Sequence, residues 1–223
     1  MTNNDEVRRL RKRAEGGMSQ AQYELAYYLA SQPNAEKHRK ECLELLKSAS
    51  AQGDSLAQYA LGNWYGRGIG VRKNYKAAYS YLRSAAAQGH PLAQYELADA
   101  LERGEGVKKD VKQAIKWYRK AADQGDKDAQ AELGRCYFYG IGLARDYEQA
   151  VKWYRKAAKA GNADAEYGLG YCYENGKGVM QNRGRAVLWY RKAAEQGHKD
   201  ARTALKELQK SAPQLRTNGL QDI

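Results

Sequence analysis

The segment from Lys116 to Gly134 reads KWYRKAADQGDKDAQAELG, and the segment from Lys152 to Gly170 reads KWYRKAAKAGNADAEYGLG. The second begins 36 residues after the first, and near-identity at such an interval predicts tandem repeats. The same interval relates six copies of a glycine, an alanine four residues later and a leucine eight residues later. Their positions are Gly17, Gly53, Gly89, Gly125, Gly161 and Gly197; Ala21, Ala57, Ala93, Ala129, Ala165 and Ala201; and Leu25, Leu61, Leu97, Leu133, Leu169 and Leu205. The repetition therefore indicates stacked structural units.

Each repeat is predicted to contain two helices. In the first, Ala129, Leu133 and Tyr137 lie four residues apart and share one helical face. The second is predicted to turn a set of small and aromatic residues inward: Ala114, Trp117, Tyr118 and Ala121, and one unit later Ala150, Trp153, Tyr154 and Ala157. Because one helix pair cannot bury its apolar face alone, we expect stability to reside in the interfaces between repeats.

Paired glycines mark the loop between the two helices, because glycine accepts the positive φ that ends a helix. The pairs are Gly68/Gly70, Gly104/Gly106, Gly140/Gly142 and Gly176/Gly178. Four residues after each second glycine stands a good N-cap residue for the next helix. These predicted N-caps are Asn74, Asp110, Asp146 and Asn182.

The repeat register divides the chain into segments. We predict an N-terminal half repeat, or cap helix, over residues 1–16. Five full repeats are predicted over 17–196, with bounds at 17–52, 53–88, 89–124, 125–160 and 161–196. A C-terminal capping helix is expected over 197–211, followed by a polar, disordered tail over 212–223.

Composition argues against several classes of protein. The apolar runs are far shorter than the roughly 20 residues of a membrane span, and no apolar stretch follows the charged N-terminal segment. We therefore expect neither membrane association nor a secretory signal. The odd number of cysteines, at Cys42, Cys136 and Cys172, fits reduced thiols. A cytoplasmic location is predicted.

Catalytic and metal-binding patterns are not evident. The sequence contains no H-E-x-x-H or G-x-S-x-G motif, and its glycine loops lack the spacing of a phosphate loop. His90 and His198 begin first helices three units apart, which is too distant to share a metal. Cys136 and Cys172 occupy equivalent positions and are predicted to fill the core. We predict a protein that is not an enzyme, with no catalytic residue, no metal site and no cofactor.

The pattern G-x-x-x-A-x-x-x-L-G, then Y, G-x-G-V, D-x-x-x-A and W-Y-x-K-A-A, resembles the Sel-one-like repeat, a relative of the tetratricopeptide repeat. The resemblance covers about residues 17–210. It implies an all-α fold, a right-handed α/α superhelix (solenoid) of helix-turn-helix repeats whose first helices line a concave surface. It also implies an adaptor that holds another protein. The chain lacks the cysteines of the secreted, cysteine-rich branch.

The concave surface would carry residues three, six, ten, thirteen and fourteen positions after each repeat glycine. The predicted partner-binding residues are Tyr23, Tyr27, Tyr59, Asn63, Tyr95, Asp99, Arg103, Arg135, Phe138, Tyr139, Tyr167, Tyr171 and Glu174. Tyrosine and arginine are enriched at interface hot spots, so a protein or peptide partner is predicted. Alternatively, the tyrosines at the sixth position pack sideways between adjacent first helices.

The net charge of +12 raises the question of acidic or nucleic-acid partners. Much of it comes from second helices: Lys116, Arg119, Lys120, Lys152, Arg155, Lys156, Arg191 and Lys192. We interpret these residues as a solvated convex face and do not expect a nucleic-acid partner. The predicted function is non-catalytic binding as an adaptor or scaffold, by a monomer or weak dimer. The alternatives are a bacterial immunity or regulatory protein that neutralises a toxin or enzyme by binding, and a hydrolase of the cysteine-rich repeat type.

Overall fold

The computed structural model describes residues 3–211, and this part of the chain forms twelve α-helices and no strand. They are α1 (Asn3–Glu15), α2 (Ser19–Ala30), α3 (Ala35–Ala51), α4 (Ser55–Arg67), α5 (Tyr75–Ala87), α6 (Pro91–Arg103), α7 (Val111–Asp123), α8 (Lys127–Tyr139), α9 (Tyr147–Lys159), α10 (Ala163–Asn175), α11 (Arg183–Glu195) and α12 (Lys199–Ser211). The predicted all-α fold of 36-residue helix pairs is confirmed. The tail predicted over 212–223 lies outside the described residues.

The even-numbered helices, α2 to α12, follow the repeat glycines and are called first helices; the odd-numbered ones are called second helices. The chain forms two compact units, Met1–Trp117 (unit 1) and Tyr118–Ile223 (unit 2), and α7 contains residues of both. Each unit has its own core. The repeat leucine is fully buried in the five full repeats, as at Leu61 in unit 1 and Leu133 in unit 2, and half-buried at Leu205 in α12.

The small residue after the core leucine lets a large side chain of the second helix approach closely. In unit 1, a Cβ added at Gly62 would lie 2.7 Å from the side chain of Leu82. In unit 2, a Cβ added at Gly170 would lie 2.5 Å from the Tyr190 ring. Both distances are well below van der Waals contact, so glycine is what allows the two helices of one repeat to interlock.

The paired glycines of the loops serve two purposes. Gly104 ends α6 in the left-handed conformation, at φ 78°. Gly106, at φ 72°, lies so close to α5 that an added Cβ would overlap the carbonyl oxygen of Tyr75. Gly178 has the same relation to Tyr147 in unit 2. At Gly106 and Gly178, glycine is therefore required by close backbone approach as well as by positive φ.

The four predicted N-caps are confirmed. Each side chain accepts a hydrogen bond from the backbone N–H three residues later, at 2.9–3.0 Å. The residues are Asn74, Asp110, Asp146 and Asn182. Such a cap contributes about 1 kcal/mol to helix stability, so these residues define where second helices begin.

A row of buried glutamines, which the sequence analysis did not identify, joins consecutive repeats. Their side-chain amides donate to the carbonyl oxygen eight residues earlier, at 3.0–3.4 Å. They are Gln22, Gln58, Gln94 and Gln130. Since these carbonyls belong to the ends of preceding second helices, the bonds tie each first helix to the repeat before it. In the fifth repeat the position holds Glu166, which accepts a hydrogen bond from Gln196 at 2.7 Å.

Candidate functional site

In unit 1 the predicted tyrosines lie on α2, α4 and α6 with unequal exposure. Tyr27 is 67% exposed, and its ring centroid is 6.2 Å from that of the half-buried Tyr23. Tyr59 is half-buried and stacks on the imidazole of His90 at 4.6 Å. Tyr95 is also half-buried. Most of this tyrosine row is therefore partly covered by the protein itself.

The polar residues predicted in unit 1 make local contacts. The Arg103 guanidinium donates to the Asp99 carboxylate at 2.8 Å, one helical turn earlier. The Asn63 amide donates to the carbonyl oxygen of Tyr59 at 3.4 Å. A cavity of about 180 Å³ includes Asn63 in its lining but none of the other predicted residues. This cavity thus gathers one of the seven residues predicted in unit 1.

In unit 2 five predicted residues line a single cleft of about 380 Å³, called here the unit 2 cleft. They are Arg135, Phe138, Tyr139, Tyr167 and Tyr171. The rest of the lining is formed by Ala131, Glu132, Tyr154, Asp164, Gly168, His198 and Asp200. Glu174 is absent from the lining, and its carboxylate accepts a hydrogen bond from the hydroxyl of Tyr190 at 2.7 Å.

Phe138 lies at the centre of the aromatic wall of the unit 2 cleft. Its ring makes edge-on contacts with Tyr139 at 4.9 Å, Tyr171 at 5.7 Å and Tyr147 at 5.1 Å. Tyr139 is nevertheless 67% exposed and Tyr171 40% exposed. These contacts restrain two rings that still present much of their surface to solvent, which is the arrangement expected of interface hot spots.

A second group of lining residues is built around His198, which caps α12. Its ring stacks on Tyr167 at 4.6 Å, and its Nδ1 accepts a hydrogen bond from the backbone N–H of Ala201 at 3.2 Å. Because Nδ1 is the acceptor, Nε2 carries the proton, and it lies 3.2 Å from the Asp164 carboxylate. Burial raises the pKa of the Tyr167 hydroxyl, which therefore stays protonated and neutral.

Carboxylates outnumber permanent cations in this lining. The negative charge comes from Glu132, Asp164 and Asp200. The Arg135 guanidinium supplies positive charge to the lining and forms an ion pair with Glu132. The Asp164 side chain is 83% exposed. His198 adds positive charge only when protonated. The unit 2 cleft is therefore locally acidic in a chain whose net charge is +12.

The acidic rim is the part of the unit 2 cleft that the sequence analysis missed. Asp164 and Asp200 stand three residues after a repeat glycine, a position that helical geometry already assigned to this face. That spacing was the available signal. The packing alternative for the sixth-position tyrosines agrees with the stacking of Tyr59 and Tyr167 on histidines that begin the next first helices.

Basic side chains of the second helices contact aromatic residues. Arg119 donates to the Tyr137 hydroxyl at 2.9 Å, and Arg155 donates to the Tyr173 hydroxyl at 3.1 Å. The Lys156 ammonium lies 4.1 Å from the centroid of the neighbouring tryptophan ring. Part of the positive charge therefore takes part in packing between repeats, in addition to facing solvent.

The three cysteines are free thiols at fully buried positions: Cys42, Cys136 and Cys172. Burial raises the pKa of the Cys172 thiol to about 12, which disfavours its reactive thiolate form. Within residues 3–211, no group of three or more His, Cys, Asp or Glu side chains is placed to hold a metal ion. Over that same part of the chain, no helix combines the length and apolar character that crossing a membrane requires.

The five predicted repeats correspond to five matches of a known repeat model. A model of the Sel1 repeat matches residues 19–54, 55–90, 91–126, 127–162 and 163–198. Each match begins two residues after a predicted repeat boundary. The comparison with curated proteins gives no match.

Two solved structures are similar in sequence as well as fold. A protective antigen with an SLR fold from uropathogenic Escherichia coli is 37% identical, with a TM-score of 0.86 over 91% of this chain and 43% of the antigen. A Sel1 repeat protein from Oxalobacter formigenes is 33% identical, with a TM-score of 0.81 over 93% of this chain and 60% of that protein. The chain thus spans less than two thirds of either protein.

A third solved structure shares the fold alone. It is an immunity protein from Pseudomonas aeruginosa that is 24% identical, with a TM-score of 0.54. The alignment covers 88% of this chain and 80% of the immunity protein.

Proposed function

The chain belongs to the Sel1 repeat family, and from this premise we propose that it binds another protein through the exposed side of its first helices. Proteins with these repeats generally act as protein-interaction modules and are typically non-catalytic. The proposed role is that of an adaptor or scaffold. The proposed principal contact surface is the unit 2 cleft.

The observation that carries this proposal is the pair of exposed tyrosines held by Phe138. Tyr139 and Tyr171 border the same cleft as Arg135, and these residue types contribute most often to binding energy at interfaces. Because the Phe138 contacts already restrain both rings, binding would cost little side-chain entropy. Restrained aromatic surface in a cleft therefore supports a protein-binding role.

The predicted residues of unit 1 remain in the proposal as further contacts. They are Tyr23, Tyr27, Tyr59, Asn63, Tyr95, Asp99 and Arg103. Tyr27 is the most exposed of these tyrosines, so we expect it to contribute most among them. The proposal also places the protein in a reducing compartment such as the cytoplasm, because its three cysteines are buried free thiols.

Neutralising a toxin by direct binding is the alternative within the same class of function. The likeness to the Pseudomonas aeruginosa immunity protein is one of fold, so it does not favour this role over that of an adaptor. The two roles differ in the effect on the partner. An inhibited enzymatic partner would indicate neutralisation, whereas an unchanged partner activity would indicate an adaptor.

The proposal is tested by affinity capture from lysate of the source cells with the native protein and a Tyr139→Ala/Tyr171→Ala variant. We expect the variant to lose the proteins that the native chain retains. A Met180→Ala/Leu188→Ala variant is the matched control, since these two residues are also exposed but lie outside the unit 2 cleft. Circular dichroism checks that each variant is folded. Equal capture by the native protein and the tyrosine variant would contradict the proposal.

A further inference from the structure

We propose that the unit 2 cleft receives a basic side chain, an arginine or a lysine, that projects from the partner protein. This inference rests on the proposed function and adds the chemistry of the residue that the partner contributes. It is drawn from the aromatic wall, the acidic rim, the difference from unit 1 and the size of the cleft.

The aromatic wall supplies ring faces for a cation. A lysine or arginine gains cation–π stabilisation when its charge lies within about 6 Å of a ring centroid, and its methylene stem packs on apolar surface. Unit 2 already uses this contact, since the Lys177 ammonium lies 5.2 Å from the Tyr147 ring centroid. Tyr139 and Tyr171 are exposed rings in the same aromatic group. They can accept a cation from outside.

The rim supplies the counter-charge. Asp164 and Asp200 stand in the first turns of α10 and α12, where a negative side chain interacts favourably with the helix dipole. Arg135 forms an ion pair with Glu132, and this pair leaves the two aspartates as the excess negative charge of the lining. A cation beside the aromatic wall would therefore also meet carboxylates.

The aspartates are a property of unit 2 rather than of the repeat. The equivalent position, three residues after the repeat glycine, holds Gln20, Leu56 and Leu92 in unit 1, and both leucines are more than 40% exposed. The helix pair of the repeat therefore accepts either a leucine or an aspartate at this position. In unit 2 the equivalent Asp128 accepts a hydrogen bond from Asn162 at 2.7 Å, which assigns that aspartate to packing. Asp164 and Asp200 line the cleft, and the Asp164 side chain is 83% exposed although its carboxylate lies 3.2 Å from His198 Nε2.

The volume and charge of the cleft select among side chains. Its volume of about 380 Å³ is near the lower end of the range for ligand pockets, about 300–1,000 Å³, and suits one long side chain. An acidic side chain would be repelled by Glu132, Asp164 and Asp200. An apolar side chain would cover the rings but leave the rim aspartates without a counter-charge. A basic side chain would contact the tyrosine rings and also supply a counter-charge to the rim aspartates.

The experiment selects from a phage library of random peptides on the native full-length protein. Selected peptides are then synthesised in pairs in which one arginine is replaced by citrulline, which has nearly the same shape but no charge. Fluorescence anisotropy measures the affinity of each pair. We expect enrichment of arginine or lysine, and about tenfold weaker binding of the citrulline peptide, from loss of the cation–π and ion-pair contacts.

Two double variants assign the effect to the rim. Asp164→Asn/Asp200→Asn is expected to show a smaller preference for the arginine peptide than the native protein, because the ion-pair contacts are lost while the cation–π contact remains. Glu148→Gln/Glu195→Gln makes the same change of charge on exposed positions of second helices and is expected to keep the native preference. Selection of peptides without basic residues, equal binding of each pair by the native protein, or an undiminished preference in the Asp164/Asp200 variant would overturn the inference.

Failure of the proposed function has a different signature. Selected peptides that bind the Tyr139→Ala/Tyr171→Ala variant as tightly as the native protein contradict both the inference and the proposed function. An absence of enrichment also contradicts both. Peptides that need the tyrosines but show no preference for charge contradict the inference alone.

Discussion

Units 1 and 2 share one repeat scaffold but present different surfaces. Both have a fully buried repeat leucine, left-handed loop glycines and side-chain caps on their helices. Their first helices differ on the exposed side. Unit 1 has exposed leucines at Leu56 and Leu92 and a cavity of about 180 Å³, whereas unit 2 has Asp164 and Asp200 beside a cleft of about 380 Å³.

This difference separates the residues that build the repeat from those available for recognition. The positions that recur in both units are close-packed glycines, helix caps and core residues. Substitution at any of them would damage packing. Positions that change from leucine to aspartate without altering the helix pair are free to define a binding surface. The loop glycines that meet a backbone carbonyl should therefore respond alike in both units, and binding should depend on unit 2.

The largest predicted effect tests whether the loops of the two units are equivalent. Gly106→Ala in unit 1 and Gly178→Ala in unit 2 each force a Cβ into a backbone carbonyl at positive φ. We expect each to lower the free energy of unfolding by about 3 kcal/mol, from overpacking and left-handed strain together. Urea denaturation measures this change.

Glycines with the same positive φ but open surroundings are the controls for that prediction. Gly53→Ala and Gly161→Ala place a Cβ with no atom within 4 Å, so only backbone strain remains. We expect a cost of about 1 kcal/mol for each. A loop glycine that tolerates alanine in one unit but not the other would break the equivalence of the two scaffolds.

The second prediction concerns the interlocking of first and second helices. Gly170→Ala brings a Cβ to 2.5 Å from the rigid Tyr190 ring, whereas Gly62→Ala brings one to 2.7 Å from Cγ and Cδ2 of the more adaptable Leu82 side chain. We expect a loss of about 2 kcal/mol in unit 2 and less than about 1 kcal/mol in unit 1, where the side chain can shift and alanine favours the helix. Thermal unfolding of both variants measures the difference, and a larger loss at Gly62 would show that this account of the packing is wrong.

The third prediction compares two helix caps. Asp54 accepts a hydrogen bond from Ala57 N–H at 2.9 Å in unit 1, while Asn162 caps α10 and also donates to Asp128 at 2.7 Å in unit 2. Asp54→Ala should cost about 1 kcal/mol and Asn162→Ala about 1.5 kcal/mol, since the latter loses a second hydrogen bond. Urea denaturation tests the order. A larger loss for Asp54→Ala than for Asn162→Ala would contradict this account of the two caps.

The smallest predicted effect is a pH dependence in unit 1. Burial lowers the pKa of His90 below its usual value of 6.5, because the charged form is poorly solvated there. As the pH falls through 6.5 toward the folded-state pKa, the unfolded chain binds the proton first. The stability present above pH 6.5 should therefore decrease below it.

His90→Asn isolates this contribution, because asparagine can cap α6 without titrating. Urea denaturation at about pH 7 and about pH 5, which span the titration of histidine, should show a smaller loss of stability in this variant than in the native protein. An identical loss in both proteins would show that His90 does not contribute.

Much of the fold could be predicted from the sequence because its determinants are local. The spacing of Leu133 and its equivalents, the loop glycines and caps such as Asp146 each act within one repeat. The glutamine row was missed because the carbonyl that Gln130 contacts belongs to a different helix, and no periodic pattern identifies a hydrogen-bond partner.

The candidate site was less predictable because it depends on which repeats face a common space. Helical geometry placed Arg135 and Tyr171 on the correct side of their helices, but it could not show that both line a cleft with Asp200. Glu174 was selected by the same geometry, although its carboxylate is bound to the Tyr190 hydroxyl. The position of a side chain on a helix does not reveal its partner on the next one.

The most direct test of the binding account is photo-crosslinking with benzoylphenylalanine introduced at one position at a time in the full-length protein. Tyr139 lies in the unit 2 cleft, and the exposed Leu188 on α11 is the matched position outside it. We predict crosslinks to a partner protein from position 139 and none from position 188. Crosslinks from position 188, with none from position 139, would contradict the claim that the first helices of unit 2 form the binding surface.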